Sequence, residues 1–369
     1  MQKLLVIAPT PPPYHGAAMM IEKFIKGEFR SIEIYHIRVN YSKSISSLGR
    51  FSPSKVLHMF YLLRKAIAYT YKFKISAFYY IPGGTSKTPV YRDLFILTLL
   101  RLIFKKCIFH FHAAGISEIV ESLPSPLKSH AKRIYSNADL AIYLSSLNPD
   151  HTYFKAKRTV MIPNGLEDSA VDFLPVNRPI DPSRLSLLYV GIIRETKGVS
   201  VLLEALVTLK DRGIPFRCTI VGDFVSREYR EEVMFFCEQN GLLDSVEFPG
   251  VVYGDEKWKY FRVADIFCFP SYYSAESFGN VLVEAMMFEL PIVTTEWRGI
   301  PDVVQHDTNG MLVPVKDKNA LAGAIIELVQ CPEKRKRYGR QGREIFHKKF
   351  HLPVFITKME QEISGVLEA

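Results

Sequence analysis

Short apolar runs punctuate the chain at fairly even intervals, separated by longer stretches that mix apolar and polar positions. In the first half the runs are "KLLVIAP", "IEIYHIRV", "ISAFYYIP", "CIFHFHA" and "LAIYLS", and "TVMIPNGL" closes the series. A Pro-rich loop, "TPPPYHG", follows the first run and leads into a helix-like "AAMMIEKFIKGEF". A second series begins at "LSLLYVG" and continues through "FRCTIVG", "VEFPGVV", "DIFCFPS", "PIVTTEW" and "GMLVPV", with helix-length segments such as "GVSVLLEALVTLKDRG" between them. Strand and helix in alternation predict a doubly wound parallel sheet. Two such series predict an α/β chain of two Rossmann-like domains, residues 1–175 and 176–345, linked through the Pro-rich, polar "VDFLPVNRPIDPSR". The remaining segment, 346–369, is expected to form a helix that packs back on the first domain. Ligands of such sheets bind outside the carboxyl ends of the strands, so the cleft between the two domains is the predicted site. Neither first strand is followed by GxGxxG, which argues against a nicotinamide or flavin dehydrogenase.

Composition changes this picture little, but charge changes it more. With 369 residues, 48% apolar and 23% charged, the chain has enough to build two cores and is not a disordered polymer. "MQKLLVIAPTPP" lacks the apolar length of a secretory signal, and "LFILTLLRLIF" (94–104) is too short to span a bilayer. The five cysteines show no CxxC spacing, so reduced thiols in a cytoplasmic protein are expected rather than disulfides or a metal site. Residues 1–180 carry 24 Lys and Arg against 11 Asp and Glu, whereas residues 181–369 carry 23 against 27. The basic residues of the first half are interleaved with apolar ones in "FSPSKVLHMFYLLRKAIAYTYKFK" and in "LFILTLLRLIFKKCIF". This pattern suits a peripheral contact with an anionic membrane surface, the alternative being a core helix with a solvated basic edge. No nucleic-acid motif accompanies the charge, so nucleic acid is not an expected partner.

The most distinctive chemistry lies in "SAESFGNVLVEAM", residues 274–286. On one continuous helix, Glu276 and Glu284 would stand roughly 80° apart and share no face. Glu276 is better read as a loop residue at a helix entrance, with Glu284 in the second turn of a helix that stops before Pro291. Free N–H groups and the positive end of the helix dipole at that entrance make a ready phosphate site. Carboxylates beside a phosphate would repel it but suit hydroxyl groups, and a nucleotide-sugar has hydroxyls on both sides of its diphosphate.

This stretch, together with "YVGIIRETKG", "VEFPGVV", "ADIFCFPS" and "GIPDVV" in that order, resembles the retaining glycosyltransferases of the GT-B fold, specifically glycosyltransferase family 4. The resemblance is close over Ser186 to Val329 and looser in the first half. It implies that Glu276 binds hydroxyls of the donor sugar and that backbone groups of Phe278, Gly279 and Asn280 meet the sugar and diphosphate. It also implies that Glu284 binds the ribose and that Lys197 neutralises the departing diphosphate. The family often carries Arg directly after the glycine of the "YVG" run, where this chain has Ile192; Arg194, two positions on, points to the same side if the segment is extended. His112 matches a strand-end histidine close to the reacting sugar, and His110 is read as core. Gly16 matches the glycine loop near the donor phosphate, although Ala17 stands where a second glycine is common. Gly250 and Val252 match the loop that meets the nucleobase. Tyr14, His15 and the loop residues Gly83, Gly84 and Thr85 are candidates for the acceptor side.

No DxD, HExxH or Cys/His cluster occurs, and the resemblance implies a metal-independent reaction without cofactors, in which Lys197 and a helix amino terminus serve where other transferases use a cation. The expected activity is transfer of a sugar, with retention, from a nucleotide-sugar, expected to be a UDP-sugar, to a lipid-linked saccharide. The expected setting is bacterial surface, capsular or O-antigen polysaccharide assembly, on the inner face of the cytoplasmic membrane. The rivals are a transferase with a soluble acceptor, a catalytically silent GT-B partner subunit, and a nucleotide-sugar epimerase.

Overall fold

A computed structural model describes all residues except 13–15, 40–52, 85, 174–183 and 369, and gives no side-chain description for 53–56 and 172. The described residues fall into two compact units. One comprises Met1–Gly165 with Leu352–Ala369, and the other comprises Leu166–His351.

The first unit is built on six parallel strands: β1 (Gln2–Ala8), β2 (Ile32–Arg38), β3 (Ala77–Tyr80), β4 (Lys106–Phe111), β5 (Leu140–Tyr143) and β6 (Thr159–Met161). Its helices are α1 (Gly16–Lys26), α2 (Pro53–Phe73), α3 (Lys87–Ile103), α4 (Ile116–Glu121), α5 (Ser125–Tyr135) and α6 (Asp150–Tyr153). The sheet order is β2-β1-β3-β4-β5-β6. β3 and β5 are buried along their whole length, which is why they read as unbroken apolar runs.

The second unit repeats the plan with β7 (Leu185–Val190), β8 (Phe216–Val221), β9 (Val246–Gly250), β10 (Ile266–Phe269), β11 (Ile292–Thr295) and β12 (Gly310–Val313), in the order β12-β11-β10-β7-β8-β9. These strands are also parallel. Its helices are α7 (Val199–Asp211), α8 (Arg227–Gln239), α9 (Gly254–Val263), α10 (Asn280–Met287), α11 (Ile300–Val303), α12 (Lys318–Gln330) and α13 (Pro332–Ile345). A π-helical turn at Phe346–Phe350 then leads to the last helix, α14 (Leu352–Glu368).

α14 packs on the first unit through an apolar stripe of Phe355, Met359, Ile363 and Val366. Glu360 accepts hydrogen bonds from the Arg30 and Ser31 amides, and the Lys106 ammonium donates to the Val366 carbonyl. The linker read at 171–184 lies mostly outside the described residues.

Each sheet has one point where the strand order reverses: between β1 and β3 in the first unit, and between β7 and β10 in the second. The loops leaving two such neighbours diverge, and the crevice between them is where doubly wound sheets hold ligands. In the second unit those loops are "GIIRETKG" and "PSYYSAESFG". Fold and motif therefore converge on one place.

Candidate active site

The loop after β7 ends in a 3-10 turn, Glu195–Lys197, capped by Gly198 at the entrance of α7. Gly198 adopts φ +78°, and a Cβ there would lie 2.0 Å from the Pro270 carbonyl oxygen, so only glycine lets this loop lie against the one after β10. The Tyr272 amide donates to the Thr196 carbonyl at 2.9 Å and ties the loops together. This packing brings the Lys197 Nζ to 2.5 Å from Glu276 Oε2. Glu276 is only 8% exposed, and the same oxygen accepts a hydrogen bond from the Ser271 hydroxyl at 3.0 Å.

The Tyr273 ring is shared by two cations. Lys197 Nζ lies 5.0 Å from its centroid and the Arg194 guanidinium carbon 5.1 Å. Arg194 has extended backbone angles, the geometry in which it and Ile192 project to one side. The tyrosine is itself held in place, because the Trp297 indole donates to its carbonyl and its own carbonyl accepts from the Glu276 amide. Two positive groups and one buried carboxylate thus occupy the mouth of the crevice. Ser271, Tyr273 and Trp297 were not singled out from the sequence; their roles depend on loop packing that no local pattern encodes.

α10 starts at Asn280 behind Gly279, which takes φ +79° as its cap. Glu276 therefore lies ahead of the helix and Glu284 in its second turn. The Phe278 side chain is buried, with its ring 5.5 Å from that of Phe350, so this residue offers the site its backbone. The Glu284 carboxylate pairs with Lys257 of α9 at 2.6 Å, and Lys257 lies over the Trp258 ring at 4.8 Å. Lys257 is a site residue the sequence reading missed: it stands 27 positions before Glu284, in a helix that reads as an ordinary polar surface. Gly250 closes β9, where its carbonyl accepts from the Gly222 amide, and Val252 follows in the loop before α9.

In the first unit, β4 ends at Phe111 and His112 follows directly. His112 Nε2 lies 3.2 Å from Nδ1 of His110, which is fully buried and also hydrogen-bonded to the Tyr79 hydroxyl. Burial, and secondarily the neighbouring His112, push the His110 pKa well below the ordinary histidine value. The Gly83–Gly84 loop after β3 is fixed by a residue the sequence reading passed over. Asp93, completely buried in α3, accepts from the Gly83 amide at 2.7 Å, from the Tyr80 and Tyr135 hydroxyls, and from Arg92. Its only signal was a lone carboxylate inside the apolar "VYRDLFILTLL". Gly16 opens α1 and is exposed. Tyr14, His15 and Thr85 lie outside the described residues.

The outward face of α2 is apolar. Leu57, Phe60, Tyr61, Ile67 and Tyr71 recur at helical spacing and are exposed, Tyr71 to 80%, while Leu62, Leu63 and Ala66 face the core. Arg64 and Lys72 stand exposed among them, and Lys65 lies over the Tyr61 and Tyr69 rings. Leu102 of α3 is exposed to 79%, and the Phe60 and Phe95 rings are in edge contact at 5.6 Å. Among the described residues, no helix is long and apolar enough to cross a membrane.

The model of the family described as glycosyl transferases group 1 matches residues 172–345. Amylovoran biosynthesis glycosyltransferase AmsK of Erwinia amylovora is 34% identical over 150 residues, 40% of this chain and 36% of the relative. Phosphatidyl-myo-inositol mannosyltransferase of Mycobacterium leprae is 32% identical over 186 residues, 50% of this chain and 48% of the relative. O-antigen chain mannosyltransferase C of Escherichia coli is 29% identical over 204 residues, 52% of this chain and 51% of the relative. The chain therefore matches about half, or less, of the length of these relatives.

Among solved structures, sucrose-phosphate synthase from Thermosynechococcus elongatus superposes with a TM-score of 0.73 at 19% identity, over 100% of both chains. A glycosyltransferase from Rickettsia africae gives 0.74 at 17% identity, over 100% of this chain and 99% of that one. At such identities the likeness shows the fold, and that fold is GT-B.

Proposed function

We propose, since residues 172–345 match the model of glycosyl transferases group 1, that this protein is a retaining, metal-independent glycosyltransferase that moves a sugar from a nucleotide-sugar, a UDP-sugar in this reading, to a lipid-linked saccharide during bacterial polysaccharide assembly. The observation that carries the proposal is the pairing of Lys197 with Glu276 at the strand-order reversal of the second sheet, with Arg194 on the same Tyr273 ring. A cation beside a buried carboxylate suits a ligand whose diphosphate and sugar hydroxyls are neighbours. Lys197 and Arg194 face the charge that grows on the diphosphate as the bond breaks, an interaction stronger in the transition state than in the ground state. Glu276 orients the sugar through its hydroxyls, and Glu284, with Lys257 on one carboxylate oxygen, takes the ribose hydroxyls.

In the reaction so read, the bond between the anomeric carbon and the phosphate oxygen breaks and its electron pair stays on the diphosphate. The acceptor hydroxyl oxygen bonds to the same face of the anomeric carbon, and its proton passes to the departing phosphate. Charge stabilisation comes from the two cations and the amino terminus of α10, so no metal ion is needed.

A lipid-linked acceptor and a peripheral position on the inner face of the cytoplasmic membrane are supported by the apolar, Lys- and Arg-bordered face of α2. They are also supported by the relative named for a mannosyl transfer to phosphatidyl-myo-inositol; the relatives named for amylovoran and O-antigen support the polysaccharide setting. The test is release of nucleoside diphosphate from a panel of UDP-, GDP- and ADP-sugars by the purified protein, with and without membranes that carry lipid-linked saccharide. Membrane-stimulated release from one donor class, lost in Lys197→Ala, is expected. Release from none of them, or release unaffected by Lys197→Ala, would overturn the proposal.

A further inference from the structure

Glu284 is the one ionisable residue of α10, and its neighbours Val283 and Ala285 are buried. Its two carboxylate oxygens have different surroundings. Oε2 is sealed from solvent with the Lys257 Nζ at 2.6 Å, a contact of charge, since no aligned hydrogen bond reaches that oxygen among the described residues. Oε1 has no partner among the described residues and is the oxygen left accessible, on a side chain 13% exposed.

Lys257 stands where an amphipathic helix places an apolar residue. It lies on the side of α9 that carries the buried Phe261 one turn on, and its side chain is 18% exposed against 62% for Lys259. Its Nζ is 4.8 Å from the Trp258 ring centroid, and Trp258 rests on Phe288, the residue that ends α10, with ring centroids 5.5 Å apart. The lysine is thus fixed in the seam between the two helices. A charge pair in such a seam is a poor stabilising device, because apolar side chains of similar size hold two helices together as well or better. Its place along the chain gives it another use. α9 follows the loop at 251–253, which the resemblance assigns to the nucleobase, and α10 follows the loop assigned to the sugar and diphosphate. In a nucleoside diphosphate the ribose joins base to phosphate, and the Lys257–Glu284 pair joins the first turn of one helix to the second turn of the other.

We propose that Lys257 is a positioning residue for recognition of the ribose diol. By holding Oε2 in the seam it turns Oε1 outward, where the two lone pairs of that oxygen accept from the 2′- and 3′-hydroxyls, and the site thereby selects ribo- over deoxyribonucleotides. The inference rests on the reading of Glu284 as the ribose residue and adds the group that aims it.

The experiment is calorimetric titration of the full chain with UDP, GDP and ADP and with their 2′,3′-dideoxy counterparts, in wild type, Lys257→Met, Glu284→Ala and the double variant. Wild type should prefer the ribonucleotide about tenfold or more, the worth of hydrogen bonds to a charged group. Lys257→Met should bring that preference down to about threefold or less. In the Glu284→Ala background it should change no affinity further, since a residue that acts through Glu284 has nothing left to act on. A merely structural role would weaken ribo- and dideoxynucleotides alike, and in both backgrounds. Lys257→Gln, which keeps a polar side chain in the seam, is measured alongside, so that a folded variant is tested even if the methionine is not tolerated.

A ribose preference kept in the folded Lys257 variants but lost in Glu284→Ala would overturn the inference and leave Glu284 on the ribose. A preference unchanged in Glu284→Ala, no preference in wild type, or no binding by wild type would remove Glu284 from the ribose and the inference with it.

Discussion

Glu276 and Lys197 are each other's partner at 2.5 Å, with side chains 9% and 16% exposed. In the proposed reaction both would turn toward the donor, one to its hydroxyls and one to its diphosphate, so their mutual attraction competes with the ligand. Glu276→Gln removes the negative charge that faces the incoming phosphates while keeping a hydrogen-bonding group. Its expected behaviour is binding of the bare nucleoside diphosphate at least as tight as in wild type, with turnover sharply reduced; titration of each protein with the nucleotide checks this, and clearly weaker binding would contradict it. Gly198 makes a second prediction at this scale. A methyl group there meets the Pro270 carbonyl oxygen while the backbone sits at φ +78°. Gly198→Ala should therefore cost about 2 kcal/mol or more, read from urea unfolding.

Among the elements, the strands were the most legible part of the chain, because a parallel strand buried on both faces is an uninterrupted apolar run. "LAIYLS" and "DIFCFPS" could be read directly as β5 and β10. The entrance of α10 was legible from two signals: helix geometry gave Glu276 and Glu284 no common face, and the helix start and stop residues between Ser277 and Pro291 put one in a loop and one on a helix. Contacts between elements distant in sequence were not legible. Lys257 reaches Glu284 because α9 and α10 flank the same strand, β10, and Asp93 reaches Gly83 because α3 folds back on the end of β3. In both cases the local pattern shows a charge but not its partner.

α2 shows the same limit, since its interleaved basic and apolar residues fit either a core helix or a surface one. Exposure of Leu57, Phe60, Tyr61 and Tyr71 favours the surface reading. Replacing Phe60, Tyr61 and Tyr71 together by serine should leave the thermal midpoint nearly unchanged, as these side chains contribute little to the core. It should also reduce co-sedimentation with anionic vesicles severalfold. Equal co-sedimentation of this variant and wild type would exclude α2 as the membrane face.

Across the whole molecule, the division of labour follows the charge. Residues 1–180 hold the excess of basic groups, and residues 181–369 hold the family match and the paired carboxylates. The second half was the more readable because its motifs are short, ordered and tied to strand ends. The family match lies outside the first half, and several of that half's candidate residues, Tyr14, His15 and Thr85, fall outside the described structure.

The central claim is a nucleotide-sugar site built from Lys197 and Glu284 that needs no metal ion. Its most direct test is calorimetric binding of UDP, GDP and ADP to wild type, Lys197→Ala and Glu284→Ala, first without metal and then with magnesium. Loss of a charged hydrogen-bonding partner typically costs about 1.5–3 kcal/mol, so each substitution should weaken binding roughly tenfold or more. The account predicts metal-independent binding of UDP, weakened by both substitutions. Binding of none of the three nucleotides, binding that appears only with magnesium, or binding untouched by either substitution would contradict it.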